Sequence, residues 1–138
     1  MAVREEIATR DQFENSHSAA HTPVLLDVER EVLGGDYGAN GYTTRVQADL
    51  LAAELSLRPG VRLLDLGAGC GWPGLYLSGS TGCDVVCCDL TVSGMRAVSA
   101  RAGREGTASR VAAVVASARH LPFHPESFDA IVHTDVLC

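Results

Sequence analysis

Leu63-Leu64-Asp65-Leu66-Gly67-Ala68-Gly69-Cys70-Gly71 carries a strand, a sharp turn and the approach to a helix. The apolar residues are bounded by turn formers, which suits a buried strand. The alternating glycines that follow serve two ends. They allow turns at positive φ, and they let main chain approach a ligand with no side chain between. In α/β proteins ligands bind at the carboxyl ends of parallel strands, where this loop would lie.

Outward from the loop, apolar runs recur at residues 61–66, 83–88, 111–115 and 128–132, with helical stretches starting near Trp72 and Thr91. Strands alternating with helices predict βαβ units and a parallel sheet. The second run, Val85-Val86-Cys87-Cys88, ends in Asp89. An acidic residue there, about 20 residues beyond the glycines, can accept both hydroxyl protons of a ribose. Asp89 also suits the N-cap of the next helix, and the two roles are compatible.

A dinucleotide fits the loop less well. Counting from Gly67, the third glycine of a GxGxxG fingerprint falls on Trp72, whose indole opposes close helix–strand packing. The frame Gly69-Cys70-Gly71-Trp72-Pro73-Gly74 matches in letters but begins beyond the strand. Asp65 lies inside the strand, and a buried carboxylate needs a partner. It would repel a pyrophosphate and favour a cationic or zwitterionic ligand. A nicotinamide-dependent oxidoreductase is thus a weaker reading.

Upstream, residues 1–20 are polar and weakly periodic, which predicts a mobile arm or a frayed helix. Thr22-Pro23 starts a helix with Val24, Leu25, Val28, Val32 and Leu33 on one face, ended by Gly34-Gly35. A loop with Tyr37 and Tyr42 follows, read as plain aromatic anchors or as part of a lid. Thr43 or Thr44 caps a second helix with the stripe Val46, Leu50, Leu51 and Leu55.

The 138 residues suffice for one domain, 46% hydrophobic and 20% charged. A net charge of −6 disfavours non-specific nucleic-acid binding. The basic residues are all arginine, as in a GC-rich bacterial gene. Five cysteines without a CxxC pair indicate neither a disulfide framework nor a zinc site. With no signal-peptide core and no apolar run of about 18 residues, a cytoplasmic protein without membrane contact is expected.

The stretch at 63–71 resembles motif I of class I S-adenosylmethionine (SAM)-dependent methyltransferases: a hydrophobic strand, an acidic residue, then GxGxG. Leu121-Pro122-Phe123, then Ser127-Phe128-Asp129, is similar to the third-to-fourth-strand region of small-molecule members. The resemblance implies a Rossmann-like α/β three-layer sandwich with a mostly parallel sheet, truncated after about four strands and preceded by N-terminal helices. Residues 1–56 would form an arm and cap, and 57–138 the SAM-binding domain, incomplete at its C-terminus.

It implies that Asp65, Gly67, Ala68, Gly69 and Gly71 surround the methionine moiety and ribose, and that Asp89 binds the ribose hydroxyls. Leu90 would pack on adenine, with Ser117 and Ala118 beside it. Ser117 stands where the family often has Asp. His133 and Asp135, past the fourth strand, fall where acceptor-facing residues lie; either is a candidate general base, with His133 read first as a polar residue wedged at the strand end. His120 and His124 are read as solvent-facing. Methyl transfer to a small molecule is the implied activity, with a non-catalytic SAM-binding or protein-interaction module as the alternative. An apolar edge at Ile131, Val132, Val136 and Leu137 would invite pairing of two copies.

Overall fold

The computed structural model describes residues 4–135; Val136, Leu137 and Cys138 lie outside them. Three helices, α1 (Arg4–Ala20), α2 (Pro23–Val32) and α3 (Arg45–Glu54), precede β1 (Arg62–Leu66), α4 (Gly74–Thr81), β2 (Asp84–Asp89), α5 (Val92–Arg104), β3 (Val111–Val115) and β4 (Ala130–Val132). The strands pair in parallel in the order β3-β2-β1-β4. Each strand expected from the sequence is present, β3 with the expected ends and the others within two residues of them.

The register explains the core. Leu63 lies beside Val85 and Ala130, and Asp65 beside Cys87 and Val132. Side chains alternate across a strand, so these residues share one face. Leu63, Val85, Cys87 and Val132 join Leu75 and Leu77 of α4 and Met95 and Val98 of α5 in one buried cluster. The opposite face carries Leu64, Val86 and Ile131. Leu64 is buried and Ile131 is 57% exposed. Val132 is buried, so of the described residues in the expected apolar edge only Ile131 faces solvent.

The N-terminal segment departs from expectation. Residues 4–20 form one helix, with His17 and Ala20 buried. Glu14 of α1 accepts hydrogen bonds from the Val92 and Ser93 N–H groups at the start of α5 (2.6 and 3.1 Å). Helix N-termini carry unpaired N–H groups and a positive dipole end, so a carboxylate there is stabilised. That docking orders a segment whose own periodicity is weak.

The apolar faces foreseen for α2 and α3 are largely exposed. Val24, Leu25, Val28 and Val32 face solvent, as do Val46 and Leu50, while Leu33 and Ala48 are buried. On α2 the inward position belongs to Glu29. Its carboxylate accepts from the Tyr37, Gly38 and Ala39 N–H groups (2.7, 2.9 and 3.1 Å). Three charge-assisted bonds to otherwise unpaired main chain compete with burial of an aliphatic stripe, and here they set the rotation of the helix. Thr44, one of the two expected caps, closes a reciprocal capping box with Gln47 on α3.

The loop between α2 and α3 is pinned to α5. Arg101 donates to the Asp36 carbonyl and carboxylate (2.9 and 2.8 Å) and stacks 3.5 Å above the Tyr37 ring. Tyr37 in turn packs on Trp72.

Candidate functional site

The glycine loop leaves β1 with Gly67, Gly69 and Gly71 all at positive φ (74°, 54° and 101°). Two backbone bonds, from the Gly67 and Ala68 N–H groups to the Cys88 carbonyl, fold the loop over the end of β2. The helix beyond it begins at Gly74, where a Cβ would lie 2.4 Å from the Asp65 carboxylate and 3.0 Å from its Cβ. The close helix–strand approach that Trp72 opposes is thus supplied by Gly74.

Above the loop is a cavity of about 350 Å³. Its floor is Leu66, Gly67, Ala68, Gly69 and Cys70. Cys88, Asp89, Leu90 and Thr91 wall one side, and Ala116 and Ala118 extend it beyond β3. Thr9, Phe13 and His17 of α1 cover it, and Ala39, Asn40, Gly41, Trp72, Thr134 and Asp135 close the remaining wall. Among the described residues, none that lines it is Arg or Lys.

Asp89 organises the wall. Its Oδ2 accepts from the Gly69 N–H (2.9 Å), and its Oδ1 from the Thr91 N–H (2.9 Å) and the Thr91 hydroxyl (2.7 Å). The N-cap of α5 is Thr91 rather than Asp89, whose carboxylate instead holds the Thr91 N–H and hydroxyl in a turn just before the helix. Thr91 also contacts His17 Nδ1 at 3.0 Å. Burial lowers the His17 pKa, opposed by the charges of Asp89 and Glu14. Hydrogen bonds from Ser93 and Val92 hold the Glu14 carboxyl below its usual range. Cys70 and Cys88 are pushed up to about 12 and about 11, chiefly by burial, so both line the cavity as neutral thiols.

Of the expected ligand-binding residues, Gly67, Ala68, Gly69, Asp89, Leu90 and Ala118 line this cavity together. Asp65, Gly71 and Ser117 do not. Asp65 is 1% exposed and points beneath the loop, where Oδ2 accepts from the Gly74 N–H (2.8 Å) and Oδ1 has no partner. Burial, reinforced by Asp89 and opposed by the Gly74 bond, raises its pKa to about 7. The partner that a buried carboxylate requires is thus main chain, at the first residue of α4. Gly71 is buried, and a Cβ there would meet Leu75 and Val98. Ser117 lines the adjoining recess with Leu90 and Ala116, its hydroxyl accepting from the Arg119 N–H.

Neither tyrosine covers the cavity. Tyr37 is buried as an anchor and Tyr42 is 84% exposed, while Ala39, Asn40 and Gly41 between them line the cavity wall. Asp135 reaches the cavity and ties that loop down through Thr43, whose N–H and hydroxyl donate to Oδ2 (3.1 and 2.7 Å). His133 is exposed at the strand end, and His120 and His124 are exposed as expected. Sequence reasoning missed Phe13, His17 and Thr91. Only Thr91 had a local signal, its place two residues after Asp89.

A family model described as a methyltransferase domain matches residues 64–138, from β1 onward. The chain belongs to the methyltransferase domain family. The methyltransferase GfsG of Streptomyces halstedii is 33% identical over 81 residues, 59% of this chain and 29% of the relative. A SAM-dependent methyltransferase from Thiobacillus denitrificans, solved with S-adenosyl-L-homocysteine, is 26% identical, with a TM-score of 0.54 over 64% of this chain and 35% of that one. The cyclase SpnF aligns with a TM-score of 0.68 over 89% of this chain and 47% of its own, at 23% identity, a likeness of fold alone. This methyltransferase domain spans less than a third of the length of the curated relatives it matches. The expected cofactor, SAM, agrees with the family and with the product bound in the Thiobacillus structure.

Proposed function

We propose that residues 57–138 are the cofactor-binding part of a SAM-dependent methyltransferase for small-molecule acceptors, capped by the helices of residues 1–56. One observation carries the reading: the bare main chain of Gly67-Ala68-Gly69 and the Asp89 carboxylate face the same cavity. That cavity falls in the usual size range for small ligands.

The residues fit a nucleoside joined to an amino acid. Asp89 accepts three hydrogen bonds within the chain, two on Oδ1 and one on Oδ2, and the remaining lone pair on Oδ2 suits a ribose hydroxyl. Leu90 and Ala118 offer apolar surface for a purine face, and Ser117 in the adjoining recess offers a neutral acceptor for its amino group. Gly67 and Gly69 let the amino-acid portion lie against main chain. When bound, SAM supplies an activated methyl group on a sulfonium. The protein's part is alignment and exclusion of water, for which Leu66, Phe13, Trp72 and the neutral thiols of Cys70 and Cys88 provide an apolar lining. Thr134, Asp135 and the 39–41 loop would meet the acceptor. Among the described residues the cavity lining holds no arginine, and with the net charge of −6 this favours a small acceptor over a nucleic acid.

Calorimetric titration with SAM, S-adenosyl-homocysteine and NAD tests the reading. Both sulfur nucleosides should bind and NAD should not. Asp89→Ala should weaken binding by about tenfold or more, the scale of a hydrogen bond to a charged group. Binding of NAD with no response to SAM would overturn the proposal.

A further inference from the structure

We propose that His17 belongs to the cofactor site, its Nε2 accepting a hydrogen bond from a hydroxyl or ammonium of the ligand seated over Gly69; this rests on the SAM reading above. His17 is only 4% exposed, yet it lines the cavity from α1. Its Nε2 lies 3.4 Å from where a Cβ on Gly69 would sit, nearer than the ring's Cε1 at 3.8 Å.

The proton count on the neighbouring groups fixes what that atom offers. The Thr91 hydroxyl has one proton, and the Asp89 carboxylate, which can only accept, takes it at 2.7 Å. At the 3.0 Å contact with Thr91 Oγ1, His17 Nδ1 must therefore be the donor. An imidazole with its proton on Nδ1 carries a bare lone pair on Nε2. Among the described residues, no hydrogen bond reaches Nε2. An unpaired acceptor on a nearly buried residue that lines the cavity calls for a donor from whatever fills it. The chain Asp89–Thr91–His17 polarises in one direction, toward a more basic Nε2. Glu14, one turn earlier on α1, fixes the helix to α5 and so holds the ring in place.

Two variants of the intact chain, titrated calorimetrically with S-adenosyl-homocysteine, separate this role from a packing role. His17→Asn keeps a donor for Thr91 and removes the atom over Gly69. His17→Gln places an amide oxygen near the Nε2 position. Affinity should fall roughly three- to tenfold in His17→Asn, the span of one hydrogen bond, and less in His17→Gln. Titration of His17→Asn with 5′-methylthioadenosine, which keeps the ribose hydroxyls and lacks the amino acid, identifies the donor. An equal loss points to a hydroxyl, and no loss to the ammonium. Nitrogen-15 spectra at pH 8 should show the ring proton on Nδ1 of the free chain. Unchanged affinity in a folded His17→Asn, or a proton on Nε2, would overturn the inference. Failure of the unaltered chain to bind the nucleoside would instead remove the cofactor assignment.

Discussion

Gly94 sits in the first turn of α5, against the glycine loop. A Cβ there would lie 2.4 Å from the Gly69 carbonyl oxygen and 2.6 Å from the Thr91 hydroxyl. Near the far end of the same helix, a Cβ on Gly103 would have nothing within 4 Å. Alanine gains up to about 1 kcal/mol over glycine in a helix interior. At Gly103 that term acts alone, reduced near the helix end, so Gly103→Ala should stabilise by about 0.5 kcal/mol. At Gly94 the new methyl meets main chain, which cannot rotate away. Overpacking of this kind costs about 1–3 kcal/mol, so Gly94→Ala should be destabilised by about 1–2 kcal/mol net. Urea unfolding measures both, with the slope unchanged and the midpoint moved in opposite directions. Gly94→Ala should also weaken S-adenosyl-homocysteine binding, because relief of the clash displaces Gly69 or Thr91. Equal gains in stability from the two substitutions would refute the close approach of α5 to the loop.

Asp65 gives a pH signature. Its folded pKa is raised to about 7 from 3.8, so between those values the folded state holds a proton that the unfolded state has lost. Its contribution is greatest at low pH and falls as pH rises through that window, by up to about 4 kcal/mol. Asp65→Asn keeps an acceptor for the Gly74 N–H and removes the titration. Its stability relative to the unaltered chain should therefore rise from pH 5 to pH 8, and a constant difference in urea unfolding would contradict this. Glu14 has the opposite sign: its lowered pKa gives stability present above about pH 4.5 and lost as pH falls. Glu14→Ala should cost about 1 kcal/mol as a lost helix cap and raise amide exchange in α1; unaltered exchange in α1 would argue against the docking. At the β4 edge of the described sheet, Ile131 is 57% exposed. Sedimentation should show concentration-dependent association that Ile131→Lys reduces, since a charge blunts an edge strand; equal sedimentation of the two chains would count against pairing there.

The order of strands and helices from β1 onward, the glycine loop and Asp89 were legible because each is a local signal. Apolar runs, turn residues and glycines act on their own few neighbours, so their consequences follow from adjacency in the chain. The family resemblance reads the same local pattern. Gly67, Ala68, Gly69, Asp89, Leu90 and Ala118 of the lining are therefore legible in the sequence, while Thr91 beside them is not.

Tertiary structure alone decided the rest. Asp65 sits in the motif, yet its carboxylate turns under the loop toward Gly74, because the register of β1 directs that side chain to the helical face. Glu29 faces inward on α2 because three N–H groups in the following loop need an acceptor, and the aliphatic stripe is turned to solvent in consequence. His17 covers the cavity because Glu14 finds the N-terminus of α5 from far upstream in the chain. These outcomes depend on which distant groups are left without a partner once the sheet has formed. A linear pattern carries no record of that, because hydrogen-bond satisfaction is a property of the assembled main chain.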